Sequence, residues 1–146
     1  MAQANVSSRR AGTGFTLVEA VVALAIAAVL AAVAYPSYMA QLRKSRRTDA
    51  VVALMQVEQA QERWRGSHRA YAGDLATAPP LGLGLRTLST DGYYALALAD
   101  AGAAGYVVTA TAVAGRSQAA DGTCTALAVM VNRGNVQRTP PACWSR

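Results

Sequence analysis

GFTLVEAVVALAIAAVLAAVAYPSY, residues 14–38, carries a single charge, Glu19, inside an apolar run from Phe15 to Tyr35. About 20 consecutive apolar residues suffice for a helix that crosses a bilayer. A carboxylate at the centre of such a span costs about 2.5–3.5 kcal/mol on insertion scales, so Glu19 needs a partner or access to the interface. Near a helix N-terminus the macrodipole also favours an acid, which is the plain structural reading of this position.

Upstream, MAQANVSSRRAGTG is small, polar and basic, the composition of the leading region of an export signal. An ordinary secretory signal is cut beyond its apolar stretch, after small residues. Here YPSYMAQLRKSRR follows instead, and the small-residue break, GTG, precedes the apolar run. Downstream, Pro36 cannot donate to the carbonyl of Ala32, which predicts a bend or local loosening there without necessarily ending the helix. Thr48 to Arg65 then regains helical periodicity. Ala50, Leu54, Val57 and Trp64 fall on one stripe, while Gln56, Glu58, Gln59, Glu62, Arg63 and Arg65 are left for the other sides. Gly66 is a natural stop. A helix from Phe15 to Arg65 spans about 75 Å at 1.5 Å per residue. Its first half suits lipid or other apolar helices and its second half suits a core of its own.

The remaining chain predicts a sheet for that second half to cover. Residues 66–92 read as a surface connection rich in Gly and Pro. Strands are predicted over Tyr93 to Leu98, Tyr106 to Val113, Thr123 to Val131 and Val136 to Arg138, with ADAGAAG and NRGN as turns. An antiparallel sheet with the amphipathic helix half packed on it, an α+β fold, follows from this order. The organisation is thus a leader (1–14), an apolar helix half (15–38), an amphipathic helix half (39–66) and a globular sheet domain (67–146).

The net charge of +6 is spread along the chain. Residues 36–66 hold six basic and three acidic groups, and residues 67–146 hold six and four, a bias too mild to argue nucleic-acid binding alone. Arg116, Arg133, Arg138 and Arg146 are the candidate phosphate contacts, although four dispersed arginines more often form a solvated surface. Cys124 and Cys143 have neither CxxC nor zinc spacing. Outside the cytoplasm a disulfide is the expected state, worth about 3 kcal/mol for a loop of this length, with two buried thiols as the alternative. His68, in GSHRAY, has no nucleophile or acid placed to work with it, and GLGLR lacks the strand-to-helix context of a phosphate loop. No enzyme, metal or cofactor is predicted.

GFTLVEAVVALAIAAVLAAVAYPSY resembles the N-terminus of type IV prepilins. The resemblance implies cleavage between Gly14 and Phe15 by a prepilin peptidase, N-methylation of Phe15, and the type IV pilin fold. AYPSYMAQLRKSRRTDAVVAL, with DGTCTALAV and PPACW around the cysteines, is further similar to PilE-type minor pilins. It implies a structural subunit of a type IV pilus, partnered by other pilin subunits, the assembly machinery and the inner membrane, in adhesion, twitching motility or DNA uptake. Glu19 lies four residues beyond the new amine, on the same helix side. In the family it is neutralised by that amine, commonly on a neighbouring subunit, which makes it the assembly residue. Pro36 marks the helix bend. A DNA-receptor pilin and a type II secretion pseudopilin are the rival functions.

Topology is contested within the sequence. Arg9 and Arg10 precede the span, whereas Arg43, Lys44, Arg46 and Arg47 follow it, so counting positive charges places the C-terminal domain in the cytoplasm. The resemblance implies the reverse, a periplasmic domain, and the cysteines suit that oxidising space. The RKSRR cluster is then expected to meet anionic headgroups.

Overall fold

The computed structural model describes residues 15–144, so the leader with Gly14, and Arg146, lie outside the described residues. The chain divides into two compact units between residues 37 and 38.

Helix α1, Leu17–Arg65, is continuous over 49 residues and runs through Pro36. Its start is set locally. The Thr16 hydroxyl accepts a hydrogen bond from the Glu19 amide at 3.2 Å, satisfying one of the amides that a helix start leaves without a partner. The spacing Thr-x-x-Glu is that of a capping box. Every residue from Leu17 to Ser37 is exposed. In water such a surface is unsustainable, and one helix here is long and apolar enough to cross a membrane.

The second unit is built on the other end of α1. Ala50, Ala53, Leu54, Val57, Ala60 and Gln61 are its buried face, each three or four residues from another member. The stripe was expected to close on Trp64, but Trp64 is half-buried and Gln61 takes the inward place. The reason is the return of the chain after Gly66. Gln61 Nε2 donates to the Ala72 carbonyl and its Oε1 accepts from the Ala72 amide, both at 2.9 Å, which seals that end of the core with a satisfied amide.

Four antiparallel strands form a sheet in sequential order: β1 Tyr94–Ala99, β2 Gly105–Ala112, β3 Ala126–Asn132 and β4 Asn135–Thr139. The α+β fold expected from the sequence is therefore present. Tyr94, Leu96, Tyr106, Val108, Ala110, Leu127, Val129 and Val131 alternate inward and make the core with α1. Gly105 admits no side chain, because a Cβ there would lie 1.8 Å from the Val131 carbonyl oxygen. The third strand starts later than predicted, since Ser117–Ala120 and Gly122–Cys124 form short 3-10 turns. Cys124 at the end of these turns is disulfide-bonded to Cys143, which settles the open choice between a bridge and two thiols. The connection over residues 66–92 is a series of turns. Asp74 anchors one by accepting from the amides of Ala76 and Thr77 and from the Thr77 hydroxyl, each at 2.8 Å. These bonds hold its carboxyl below the ordinary range.

Candidate functional site

Of the residues expected to act in processing and assembly, Phe15, Glu19 and Pro36 lie among the described residues. Phe15 is exposed just ahead of α1 and Glu19 is exposed in its first turn. Glu19 is the only charged residue from Phe15 to Gln41. Its side chain has no ion-pair partner among the described residues.

The RKSRR cluster divides in two. Arg47 forms a bidentate pair with Asp121, Nε to Oδ2 at 2.6 Å and Nη2 to Oδ1 at 2.9 Å. Donating to the Asp121 carboxylate raises the Arg47 pKa above its ordinary value against the opposing cost of burial. Arg46 donates to the Ser117 hydroxyl at 2.6 Å and lies 4.9 Å over the Tyr93 ring. These two guanidiniums hold the sheet domain to the helix, so of the cluster's cations only Arg43 and Lys44 have side chains without a partner among the described residues. The sequence could not show this, because Asp121 and Ser117 lie more than 70 residues away.

Around the Arg47 pair stands a buried polar network that the sequence reading missed. Gln118 Nε2 donates to the Tyr94 hydroxyl at 2.9 Å and to the Arg43 carbonyl at 3.1 Å. Burial pushes the Tyr94 phenol up from its ordinary value. Asp49 organises the approach to β1 by accepting from the Ser89 hydroxyl at 2.6 Å and the Asp91 amide at 3.1 Å. A Gln near the middle of a polar loop carries no local signal of burial; only the position of Arg43 and Tyr94 reveals it.

Three of the four candidate phosphate contacts lie among the described residues. Arg138 is tied to Glu58, Nη2 to Oε2 at 2.9 Å, and lies 5.5 Å over the Trp144 ring. Arg116 lies 5.8 Å over the Tyr93 ring. Arg133 is exposed at the β3–β4 turn, with no carboxylate in reach among the described residues. Arg146 lies outside the described residues. The described three thus differ in their partners, and the chain after Asp121 contains three arginines and no acid.

His68 stacks flat on Trp64, ring centroids 3.9 Å apart, and its Nδ1 is 3.0 Å from both the Trp64 carbonyl and the Ser67 hydroxyl. It caps the end of α1. Among the described residues no His, Cys, Asp and Glu group of metal-binding size occurs.

Two family models match the chain. The prokaryotic N-terminal methylation motif covers residues 9–35, and the model described as type IV minor pilin ComP, DNA uptake sequence receptor, covers residues 36–128. No curated protein matches the chain closely. A methylation motif on an exposed apolar helix marks a subunit held in the membrane before assembly and extracellular afterwards. With the second model spanning well over half of its length, and the helix-on-sheet fold beneath it, the chain belongs to the ComP family of type IV minor pilins.

Proposed function

We propose that this minor pilin matures by cleavage between Gly14 and Phe15 and methylation at Phe15, and enters the filament through Glu19. The observation that carries this reading is the wholly exposed apolar half of α1 with Glu19 as its one charge. In an apolar bundle of helices, an unpaired carboxylate costs several kcal/mol, and a neighbour's terminal amine is the cation that cleavage creates. Pro36 removes one helix hydrogen bond, so Ala31 to Tyr35 loosen when subunits pack. The subunit is structural rather than enzymatic. Its partners are the prepilin peptidase, the inner membrane, other pilins and the assembly machinery, and it serves adhesion, twitching motility or DNA uptake.

Intact-mass and N-terminal analysis of the membrane form is the test. A chain beginning at methylated Phe15 supports the reading, and retention of the first fourteen residues in assembled filaments overturns it. Glu19→Ala should still be processed but be depleted from sheared pili. Deletion that abolishes protein export while sparing pili would assign the chain to a secretion pseudopilus instead.

A second reading, a DNA receptor within the filament, is favoured by the printed description of the matched family and by the acid-free run after Asp121. Full-length protein in detergent should shift duplex DNA at low salt, with affinity falling steeply as salt rises. Absence of binding at about 50 mM salt removes it.

A further inference from the structure

The β3–β4 hairpin has two unlike faces. Directly opposed residues share a face, so Val129 with Arg138 and Val131 with Val136 look toward α1, while Ala128 with Thr139, Met130 with Gln137 and Asn132 with Asn135 look outward. Arg138, on the inner side, is consumed by Glu58. On the outer side Asn132, Asn135 and Gln137 are exposed, and among the described residues their side-chain amides hydrogen-bond to nothing. Met130, Asn132, Arg133, Asn135 and Gln137 line one shallow hollow.

Arg133 stands at the tip. The two-residue turn Arg133–Gly134 has φ of 49° and 82°, the left-handed conformation that a tight hairpin needs at both places and that favours Asn or Gly at the first. An arginine accepts that conformation here and carries an unneutralised guanidinium at the most projecting point of β3–β4. No acid lies anywhere in the chain from Gly122 onward. β4 is also the edge of the sheet, and all five of its residues are exposed.

This set of groups matches one ligand chemistry closely. Side-chain amides pair bidentately with the N6 and N7 edge of adenine, a guanidinium pairs with O6 and N7 of guanine, and small methyl groups meet the thymine methyl. Strands can present such groups in a DNA groove, and an acid-free surround lets phosphates approach. A surface for non-specific phosphate binding would need clustered Lys and Arg rather than uncommitted amides.

We propose that the outer face of the β3–β4 hairpin reads base edges in the major groove of duplex DNA, with Arg133 leading and Asn132, Asn135 and Gln137 following along the strands. This rests on the DNA-receptor reading above and adds the site and the mode of recognition. Exposed cations elsewhere, such as Arg69 and Arg86, supply affinity without sequence preference, whereas the hairpin supplies preference.

The test is selection from a random-sequence duplex library with full-length protein in detergent, followed by binding of the selected duplex and a scrambled one. Wild type should enrich a motif and favour it about tenfold or more. The variant Asn132→Ala/Asn135→Ala/Gln137→Ala, which changes no charge, should bind scrambled duplex within about threefold of wild type yet lose the preference. Arg133→Lys keeps the charge but not the two-pronged geometry, and should relax one guanine position with an unchanged salt slope. Unaltered circular dichroism of the exposed-site variants separates these effects from misfolding. Should the triple variant keep the motif, or wild type enrich none while binding DNA, base reading by this hairpin is overturned and the receptor reading stands. Should wild type bind no duplex at low salt, both fall.

Discussion

Arg47 on α1 and Asp121 in the turn before β3 are joined by two parallel hydrogen bonds of 2.6 and 2.9 Å across 74 residues of sequence. The pair is well shielded, with Asp121 only 5% exposed and Arg47 19%. Bidentate geometry of this kind is stronger and more directional than a lysine contact, so the pair fixes the register between helix and sheet domain.

Asp121→Ala should therefore destabilise the domain by about 2 kcal/mol, because it leaves a guanidinium without its partner in a mostly dry site. Replacing both residues by apolar ones of similar volume should restore much of the loss. Urea unfolding of the full chain in detergent, arranged as a double-mutant cycle, measures the coupling. Additive single losses would deny the pair a structural role.

The Cys124–Cys143 bridge closes a loop that contains β3 and β4. Cys124→Ser with Cys143→Ser should lower stability by about 3 kcal/mol through greater freedom of the unfolded chain. Because the hairpin lies within that loop, the loss should appear first as faster amide exchange in β4, read by mass spectrometry. Uniform exchange across all four strands would contradict this.

Gly105→Ala should cost more than an ordinary strand substitution. Its Cβ would sit 1.8 Å from the Val131 oxygen, so β2 and β3 must separate there or the pairing of Gly105 with Asn132 must break. A loss of about 1–3 kcal/mol is expected from overpacking alone. A melting temperature equal to that of the parent would show that the strands part freely.

Stability should fall on the alkaline side. Burial raises the phenols of Tyr94 and Tyr106 above their ordinary value of about 10. Above that pH the unfolded chain releases these protons while the folded chain still holds them, so unfolding becomes more favourable as pH rises. Tyr106, the more strongly shifted, contributes a slope of about 1.4 kcal/mol per pH unit in that window. Tyr106→Phe should flatten the decline above pH 10 in denaturant titrations, and an unchanged slope would reject the assignment.

Much of this architecture is legible from local spacing. Phe15 to Tyr35 announces an apolar helix, Ala50, Leu54 and Val57 announce the face that packs, and the alternation in Tyr94 to Leu98 and Leu127 to Val131 announces strands. Each of these signals is a period of 3.6 or 2 that the backbone imposes on neighbours in sequence. Trp64 misled for the same reason. Its spacing fits the stripe, yet Gln61 fills the inward place by pairing with Ala72, and large apolar residues carry no label for such competition.

By itself the sequence determined the long helix, the change of solvent along it, the isolated acid and the number of strands, since all of these follow from contacts within a few residues. Only the tertiary structure decided which cations remain available. Arg47, Arg46 and Arg138 are claimed by Asp121, Tyr93 and Glu58, while Arg133 and the three amides beside it are left open. Pairing across 40 to 80 residues is set by the packing of elements against one another, and no periodicity in the chain records it.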